Sequence, residues 1–154
     1  MAPQPLAPAD PADISGFASA WNDFFSSVRR ARGRAARETQ PGSLTLSQFQ
    51  LIVAFADQPE MTVGDVALAG GVAAPTATRM LATLAREGIV ERRSSESDRR
   101  QVLVSLTPKG EEVLAEKRSV IAEKQRQVFS MLSETEREQA EHILRRLAGA
   151  IEEL

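Results

Sequence analysis

The chain has 154 residues, of which 42% are hydrophobic and 26% charged, with a formal net charge of −2. This composition is typical of a folded globular protein, and the length suits one compact domain or one protomer of an intertwined dimer. The absence of cysteine excludes disulfides, thiolate metal ligands and thiol-based redox sensing, and a single histidine argues against a histidine-rich metal site.

The predicted elements begin with a helix that follows a flexible arm. Residues 1–13 are rich in Pro and Ala and have neither the basic start nor the apolar core of a signal peptide. From Ile14 to about Glu38 the spacing predicts a helix with one apolar face, formed by Ile14, Phe17, Ala18, Trp21, Phe24, Phe25 and Val28. Five arginines lie in its C-terminal half, where cations suit the helix dipole: Arg29, Arg30, Arg32, Arg34 and Arg37. Such a run is either a solvated helix end or a site for an anionic ligand or phosphates.

Two short helices and a longer one are predicted next. Thr45 and Gln48 have the spacing of a capping box, and the helix they open stops before Pro59. Thr62 opens a second short helix, which Gly70 and Gly71 end. A third helix starts around Pro75 and runs to Gly88.

A β-hairpin follows, with strands at 89–93 and 101–106 around a polar tip at 94–100. Thr107 and Pro108 then have the types expected at the N-cap and first position of a long helix. Ser133 and Glu136 form a further capping box, and the last helix carries an apolar seam that reaches Leu154. Because a core of this size leaves that seam and the aromatic face of the first helix uncovered, we expect a two-fold symmetric homodimer.

The helix that Thr62 opens and the helix that starts around Pro75 are joined by a tight turn and followed by a hairpin. This order is typical of a winged helix-turn-helix that binds DNA. The first turns of the second of these two helices present Pro75, Thr76, Thr78 and Arg79, which are suited to base edges and phosphates in the major groove. The alternative is a helical hairpin with ordinary surface residues. The acidic total does not exclude DNA, because the arginines gather in this region while glutamates gather near the C-terminus.

The hairpin tip carries two arginines beside hydroxyl groups, which suits insertion into an electronegative minor groove. We expect DNA contacts from Ser95, Arg99 and Arg100, whereas Asp98 orders the tip, since a carboxylate is repelled by phosphate. The alternative is a solvated hairpin with a local Asp–Arg pair.

With these motifs the chain resembles the MarR (multiple-antibiotic-resistance regulator) family of winged-helix repressors. The resemblance extends from Ile14 to Leu154, and its most specific parts are Leu46-Ser47-Gln48-Phe49, 72–79, 84–93 and Asp98-Arg99-Arg100 followed by Leu106-Thr107-Pro108-Lys109-Gly110. It implies that Thr76, Thr78 and Arg79 contact the major groove, that Arg100 enters the minor groove with Asp98 as its partner, and that Arg99 contacts phosphate. One departure is Ala73, where the family often has Ser or Thr as a helix cap.

The resemblance also implies a mainly α fold with a small β-hairpin wing. Its helices at 14–43 and 108–154 form the dimerisation domain, and 44–107 form the DNA-binding lobe. It implies a homodimer on double-stranded DNA with a pseudo-palindromic operator, and a small lipophilic or aromatic effector that releases the DNA. Trp21, Phe25 and Phe49 are the candidate ligand-pocket residues, although aromatics at helical spacing are more often core.

No apolar run approaches the roughly 18 residues of a membrane span, so we expect a cytoplasmic protein with no membrane partner. No nucleophile with an adjacent base, phosphate-binding loop or metal-ligand set is present in the sequence, so we expect neither an enzyme nor a cofactor or metal. A different class stays open: a winged-helix module for protein or ligand binding without specific DNA binding, which Ala73 and the overall acidity favour.

Overall fold

The computed structural model of the protein describes residues 11–38, 42–95 and 101–154. These residues divide into two compact units, one ending at Gln48 and the other spanning Phe49–Leu154. The fold is mainly helical with one small antiparallel sheet, as the sequence predicts. In the described part of the chain, no helix is both long enough and apolar enough to cross a membrane.

The first unit contains helix α1 (Pro11–Glu38) and the start of helix α2 (Leu46–Ile52). Helix α1 begins three residues before Ile14, where the apolar stripe starts, so the predicted arm overlaps its first turn. The Thr45 capping box is confirmed: the Gln48 amide donates to Thr45 Oγ1 at 3.1 Å, and the Thr45 amide donates to Gln48 Oε1 at 2.8 Å. These bonds satisfy backbone groups that would otherwise be unpaired at the helix start.

In the second unit, a 3₁₀ turn (Val53–Ala56) continues α2 and leads to strand β1 (Glu60–Thr62). Helices α3 (Val63–Ala69) and α4 (Ala74–Arg86) follow, and then strands β2 (Val90–Ser94) and β3 (Val102–Leu106). The unit ends with helices α5 (Pro108–Ser130) and α6 (Glu134–Glu152). The predicted elements are all present within two or three residues of their expected bounds, whereas β1 was not predicted.

The three strands form a sheet in the order β1-β3-β2. In the antiparallel register, Met61 faces Val104, and Arg92 faces Val104 from the other side. Met61, Val90 and Val104 are buried, so one face of the sheet closes the core against α3 and α4. Beside them the core of this unit consists of Leu51, Ile52, Phe55, Val66, Ala67, Ala77, Leu81, Leu84, Ile89 and Leu114. Burial of the Val, Leu, Ile, Phe and Met side chains among them contributes roughly 1.5–3 kcal/mol each.

Helices α3 and α4 end in the same way. The residue after each C-cap is a glycine with positive φ, +61° at Gly71 and +71° at Gly88. Val72 N–H donates to the Ala67 carbonyl, and Ile89 N–H to the Leu84 carbonyl, which completes a Schellman motif at each end. Only glycine adopts this conformation without strain, so these two residues fix where each helix stops and how the chain leaves it.

Candidate nucleic-acid interface

Helix α4 has one face in the core and one face in solvent. Ala77, Leu81 and Leu84, spaced four and three residues apart, are fully buried. Pro75, Thr78 and Arg79 lie on the other side and are exposed, while Thr76 is half-buried between the two faces. The buried residues therefore anchor the helix, and three of the four predicted contact residues of α4 are brought together on one accessible surface at its N-terminal end.

The turn between α3 and α4 is held tightly against α2. A Cβ atom on Gly70 would lie 2.9 Å from the Leu51 Cδ1 atom and 3.2 Å from the Leu51 Cα atom. These distances are too short for a side chain without displacement of α2, so glycine permits the close approach. The result is two short helices joined by a four-residue turn, which is the arrangement of a helix-turn-helix.

The start of α4 lacks a side-chain cap, as the sequence predicts. Ala73 occupies the N-cap with φ −64° and ψ 143°, and its carbonyl accepts from the Thr76 and Ala77 amides at 2.9 and 3.0 Å. Helix α4 begins at Ala74, so Pro75 is its second residue and not its first. A proline at this position removes no hydrogen bond, because the first amides of a helix have no intrahelical partner.

Thr78 uses its hydroxyl within the helix. Its Oγ1 donates to the Ala74 carbonyl at 2.9 Å. The proton is therefore committed to the backbone, and the methyl group is the part of the side chain that remains for an apolar contact. Of the contacts expected from a threonine here, this geometry favours van der Waals contact with a thymine methyl over donation to a phosphate.

Arg79 lies one turn after Pro75 on the exposed face. Among the described residues, no acidic side chain forms an ion pair with it. Its guanidinium offers five N–H donors in a planar fork, the geometry that matches the O6 and N7 acceptors of guanine in the major groove.

The base of the hairpin continues one residue beyond the strands, where the Ser95 amide donates to the Gln101 carbonyl at 3.0 Å. Ser95 is only 5% exposed. This burial favours a role in closing the hairpin over the predicted contact with DNA. Asp98, Arg99 and Arg100 lie outside the described residues, so their roles at the tip stay predictions.

Sequence reasoning missed the partner of Arg93. Its Nε and Nη2 atoms donate to Glu60 Oε1 at 2.6 Å and Oε2 at 2.7 Å, a two-point ion pair across strand β3. The pair joins β1 to β2 on the face of the sheet where Ser105 also donates to Glu91, at 3.2 Å. Strand β1 has three residues, too few for alternation to reveal it, so the sequence held no signal for this contact.

The candidate ligand-pocket residues fall in both units. In the first unit, the Trp21 ring contacts Phe25 with centroids 4.7 Å apart and planes tilted by 49°, and it contacts Phe17 at 5.6 Å with a tilt of 39°. Phe49, at the start of the second unit, is half-buried. Their role in ligand binding stays a prediction. Within residues 11–38, 42–95 and 101–154, no three His, Asp or Glu side chains are grouped so as to hold a metal ion.

Comparison with known proteins identifies the family. Residues 43–101 match the model of the MarR family. An HTH-type transcriptional regulator of Mycobacterium tuberculosis, MT0903.1, is 34% identical over 118 residues, which cover 76% of this chain and 82% of that protein. This chain belongs to the MarR family. It is therefore a DNA-binding transcriptional regulator with a winged helix, and not an enzyme.

Solved structures agree with this fold. Streptococcus pneumoniae FabT in complex with DNA superposes with a TM-score of 0.74 at 23% identity, covering 88% of this chain and 97% of FabT. Bordetella bronchiseptica BpsR, whose DNA binding is regulated by 6-hydroxynicotinic acid, superposes with a TM-score of 0.64 at 25% identity, covering 82% of this chain and 98% of BpsR.

Proposed function

We propose that this MarR-family protein is a homodimeric, sequence-specific repressor that binds a pseudo-palindromic operator through α4 and the hairpin, and that a small lipophilic or aromatic ligand releases it. The observation that carries the proposal is the exposed N-terminal face of α4. Pro75, Thr78 and Arg79 are accessible there, while Ala77, Leu81 and Leu84 hold the helix on the core.

Apolar surface in both units supports the homodimer. In the first unit, Ile14, Phe17 and Phe24 are each more than half exposed. In the second, α6 has no buried residue; its side chains Ile143, Leu144 and Ile151 are half or more exposed, as is Leu154 just beyond its end. Large apolar groups at regular helical spacing are typical of an interface. A two-fold axis would place two copies of α4 about one helical turn of DNA apart, which requires a pseudo-palindrome.

Repression follows from occupancy, because a dimer that covers two successive major grooves blocks other proteins from the same DNA. The neighbouring rings of Trp21 and Phe25, with centroids 4.7 Å apart and planes tilted by 49°, offer apolar and aromatic contacts to an aromatic ligand. BpsR, a structural neighbour, is regulated by an aromatic acid. A ligand that binds only the DNA-free conformation would shift the dimer away from the operator by its difference in affinity for the two states.

The experiment that tests the proposal is fluorescence anisotropy of the purified protein with duplex DNA from immediately upstream of its own coding sequence. A scrambled duplex of equal length serves as the control, and both are titrated at about 50 and 200 mM salt. We expect selective binding to the upstream duplex that weakens steeply with salt. Equal, weak binding to both duplexes, or binding insensitive to salt, would contradict it and favour the alternative of a protein-interaction or ligand-binding module.

The effector is tested separately with a panel of small aromatic acids. A true effector raises the melting temperature of the free protein and lowers its affinity for the operator, because binding to the DNA-free state stabilises that state. A compound that raises the melting temperature without releasing DNA is not the effector, and a panel in which none releases DNA contradicts this part of the proposal.

A further inference from the structure

Helix α1 carries an unusual concentration of positive charge in its second half. No Asp or Glu occurs between Asp23 and Glu38, whereas five arginines occur in 29–37. All five are exposed. At about 100° per residue, Arg29, Arg30, Arg34 and Arg37 fall within an arc of roughly 140°, which is called here the arginine strip. Arg32 lies outside this arc, on the side of the aromatic stripe.

The stability of α1 does not explain the arginine strip. The attraction of cations to a helix C-terminus extends over about one turn, and only Arg37 lies in the last turn of α1. Arg30 and Arg34 are four residues apart and Arg34 and Arg37 three, spacings at which like charges destabilise a helix by roughly 0.2–0.5 kcal/mol per pair. None of the described acidic side chains forms an ion pair with them. The strip therefore destabilises the free helix, and an anionic partner would relieve the repulsion.

Gly33 lies within the same arc. On an α-helix its neighbours at three and four residues are Arg29, Arg30, Ala36 and Arg37. A glycine inside an exposed helix is less favourable than alanine by roughly 1 kcal/mol. A Cβ atom on Gly33 would meet nothing within 4 Å, so packing within the protein does not require the glycine. The missing side chain leaves open space beside the helix backbone, bordered by three arginines, with room for an anion.

Two of the arginines are already oriented. Arg29 Nη2 donates to Ser26 Oγ and Arg30 Nη2 to Ser27 Oγ, each at 2.8 Å. Each bond uses one N–H of the guanidinium and leaves four donors for a ligand. The hydroxyls therefore reduce the conformational freedom that these long side chains would lose on binding.

We propose that the arginine strip is a second DNA-binding surface, which contacts the phosphate backbone without reading the sequence. Charge complementarity supports this partner, because the strip presents several cations in a row and duplex DNA presents regularly spaced phosphates. From Arg29 to Arg37 the helix rises about 12 Å at 1.5 Å per residue. Over that distance one DNA strand carries about three to four phosphates at 3.4 Å of axis each. The strip thereby adds affinity for any duplex, while α4 supplies the sequence preference.

The test compares the salt dependence of DNA binding in the wild type and the double variant Arg30→Gln/Arg34→Gln. In the proposed homodimer the variant loses two phosphate contacts from each protomer, which lowers the slope of log affinity against log salt by about 3.6. Between about 50 and 200 mM salt the wild type should then lose about 150-fold more affinity than the variant. The change must be the same on the upstream duplex and on the scrambled duplex, because backbone contacts carry no sequence information.

Two controls separate this effect from loss of charge and from misfolding. The double variant Arg126→Gln/Arg145→Gln removes the same charge from arginines that are paired with Glu123 and Glu141, and its slope should equal the wild-type slope.

The second control is Gly33→Glu, which places a carboxylate among Arg29, Arg30 and Arg37. It should raise the melting temperature through better helix propensity and ion pairs, yet reduce the salt slope. A misfolded variant would instead show a lower melting temperature together with a reduced salt slope.

Failure of this proposal is distinguishable from failure of the proposed function, on which it rests. If the wild type does not select the upstream duplex, the proposed function of a sequence-specific repressor is wrong, independently of the arginine strip. If the wild type does select it and the Arg30→Gln/Arg34→Gln slope is unchanged, only the DNA-binding role of the strip is wrong. An equal drop in slope for the Arg126→Gln/Arg145→Gln control would also overturn it, since net charge alone would then explain the result.

Discussion

Lys109 Nζ donates to the backbone carbonyl of Glu87 at 2.7 Å and so joins the first turn of α5 to the C-terminal end of α4. Thr107 acts beside it: its Oγ1 donates to the Gly88 carbonyl at 2.6 Å, and its amide donates to the Ile89 carbonyl at 3.0 Å. Three consecutive carbonyls after α4 are thus held by two residues of the Thr107–Gly110 segment. The orientation of the DNA-contacting helix is thereby tied to the long helix α5.

Gly110→Ala should disrupt this junction. A Cβ atom at this position would lie 2.0 Å from the Ile89 carbonyl oxygen, a backbone atom that a side-chain rotation cannot move away. We expect the free energy of unfolding to fall by roughly 1–3 kcal/mol or more, as for other overpacked sites. Urea denaturation followed by circular dichroism measures the change.

The matched control is Gly149→Ala, in the exposed helix α6. A Cβ atom there would meet nothing within 4 Å, so the same substitution should raise stability by roughly 0.5–1 kcal/mol. If both variants change stability in the same direction, the short Gly110–Ile89 distance does not constrain the chain.

Ala73→Ser should stabilise the protein. Ala73 already has the backbone conformation of an N-cap, but α4 has no side-chain cap. A serine hydroxyl would accept from an amide of the first turn, which is worth roughly 0.5–2 kcal/mol. Thermal unfolding provides the measurement, and Ala74→Ser, one residue inside the helix, is the control. A melting temperature for Ala73→Ser that does not exceed that of Ala74→Ser would contradict the prediction.

Local features of this fold were predictable from the sequence, whereas contacts between distant parts of the chain were not. Helix starts such as Thr45, Thr107 and Ser133 were predictable, because a capping residue acts on backbone atoms within three residues. The ion pair between Glu60 and Arg93, 33 residues apart, was not predictable, since it depends on the order of the strands in the sheet. The accessible face of α4 was predictable from helical spacing, whereas the commitment of the Thr78 hydroxyl to Ala74 required coordinates.

Arg79→Ala should weaken binding to the operator and relax its base preference by roughly 1–3 kcal/mol, because a bidentate contact with guanine would be lost. Anisotropy with operator variants changed at one base pair at a time measures the preference. Arg126→Ala, which removes an arginine from α5, is the control and should leave the preference unchanged. If Arg79→Ala keeps the wild-type preference at every base pair, the assigned reading position is wrong.

Arg100→Ala should weaken operator binding as well, through the loss of a minor-groove contact at the hairpin tip. The comparison with Arg92→Ala is informative because Arg92 lies on strand β2 and not at the tip. We expect the larger loss from Arg100→Ala on operators with an A·T-rich flank, where the minor groove is narrow and electronegative. Equal losses for the two variants on all flanks would contradict a specific tip contact.

The capping box of α6 should make stability depend on pH. Hydrogen bonds from the Ser133 hydroxyl and amide hold the pKa of Glu136 below its ordinary value of 4.5. A lowered folded-state pKa stabilises the protein above about pH 4.5, and this contribution is lost as the pH falls through the folded value. We expect Glu136→Gln to destabilise the protein at neutral pH and to approach the stability of the wild type as the pH falls through the folded-state pKa of Glu136. Urea titrations of both proteins at each pH test this, and a difference that persists in acid would contradict it.

Leu144→Glu should separate the protomers without unfolding them. Leu144 is 58% exposed within one protomer, so a charged side chain there disturbs little in a single chain. In the proposed dimer it would be buried at an apolar interface, where an unpaired carboxylate is strongly unfavourable. Sedimentation velocity should therefore show a monomer, with operator affinity lost because only one copy of α4 remains. His142→Glu adds a carboxylate at an exposed position of the same helix, on the side away from Leu144 and Ile151, and it should stay dimeric. If the Leu144→Glu variant remains dimeric, the dimer interface does not include Leu144.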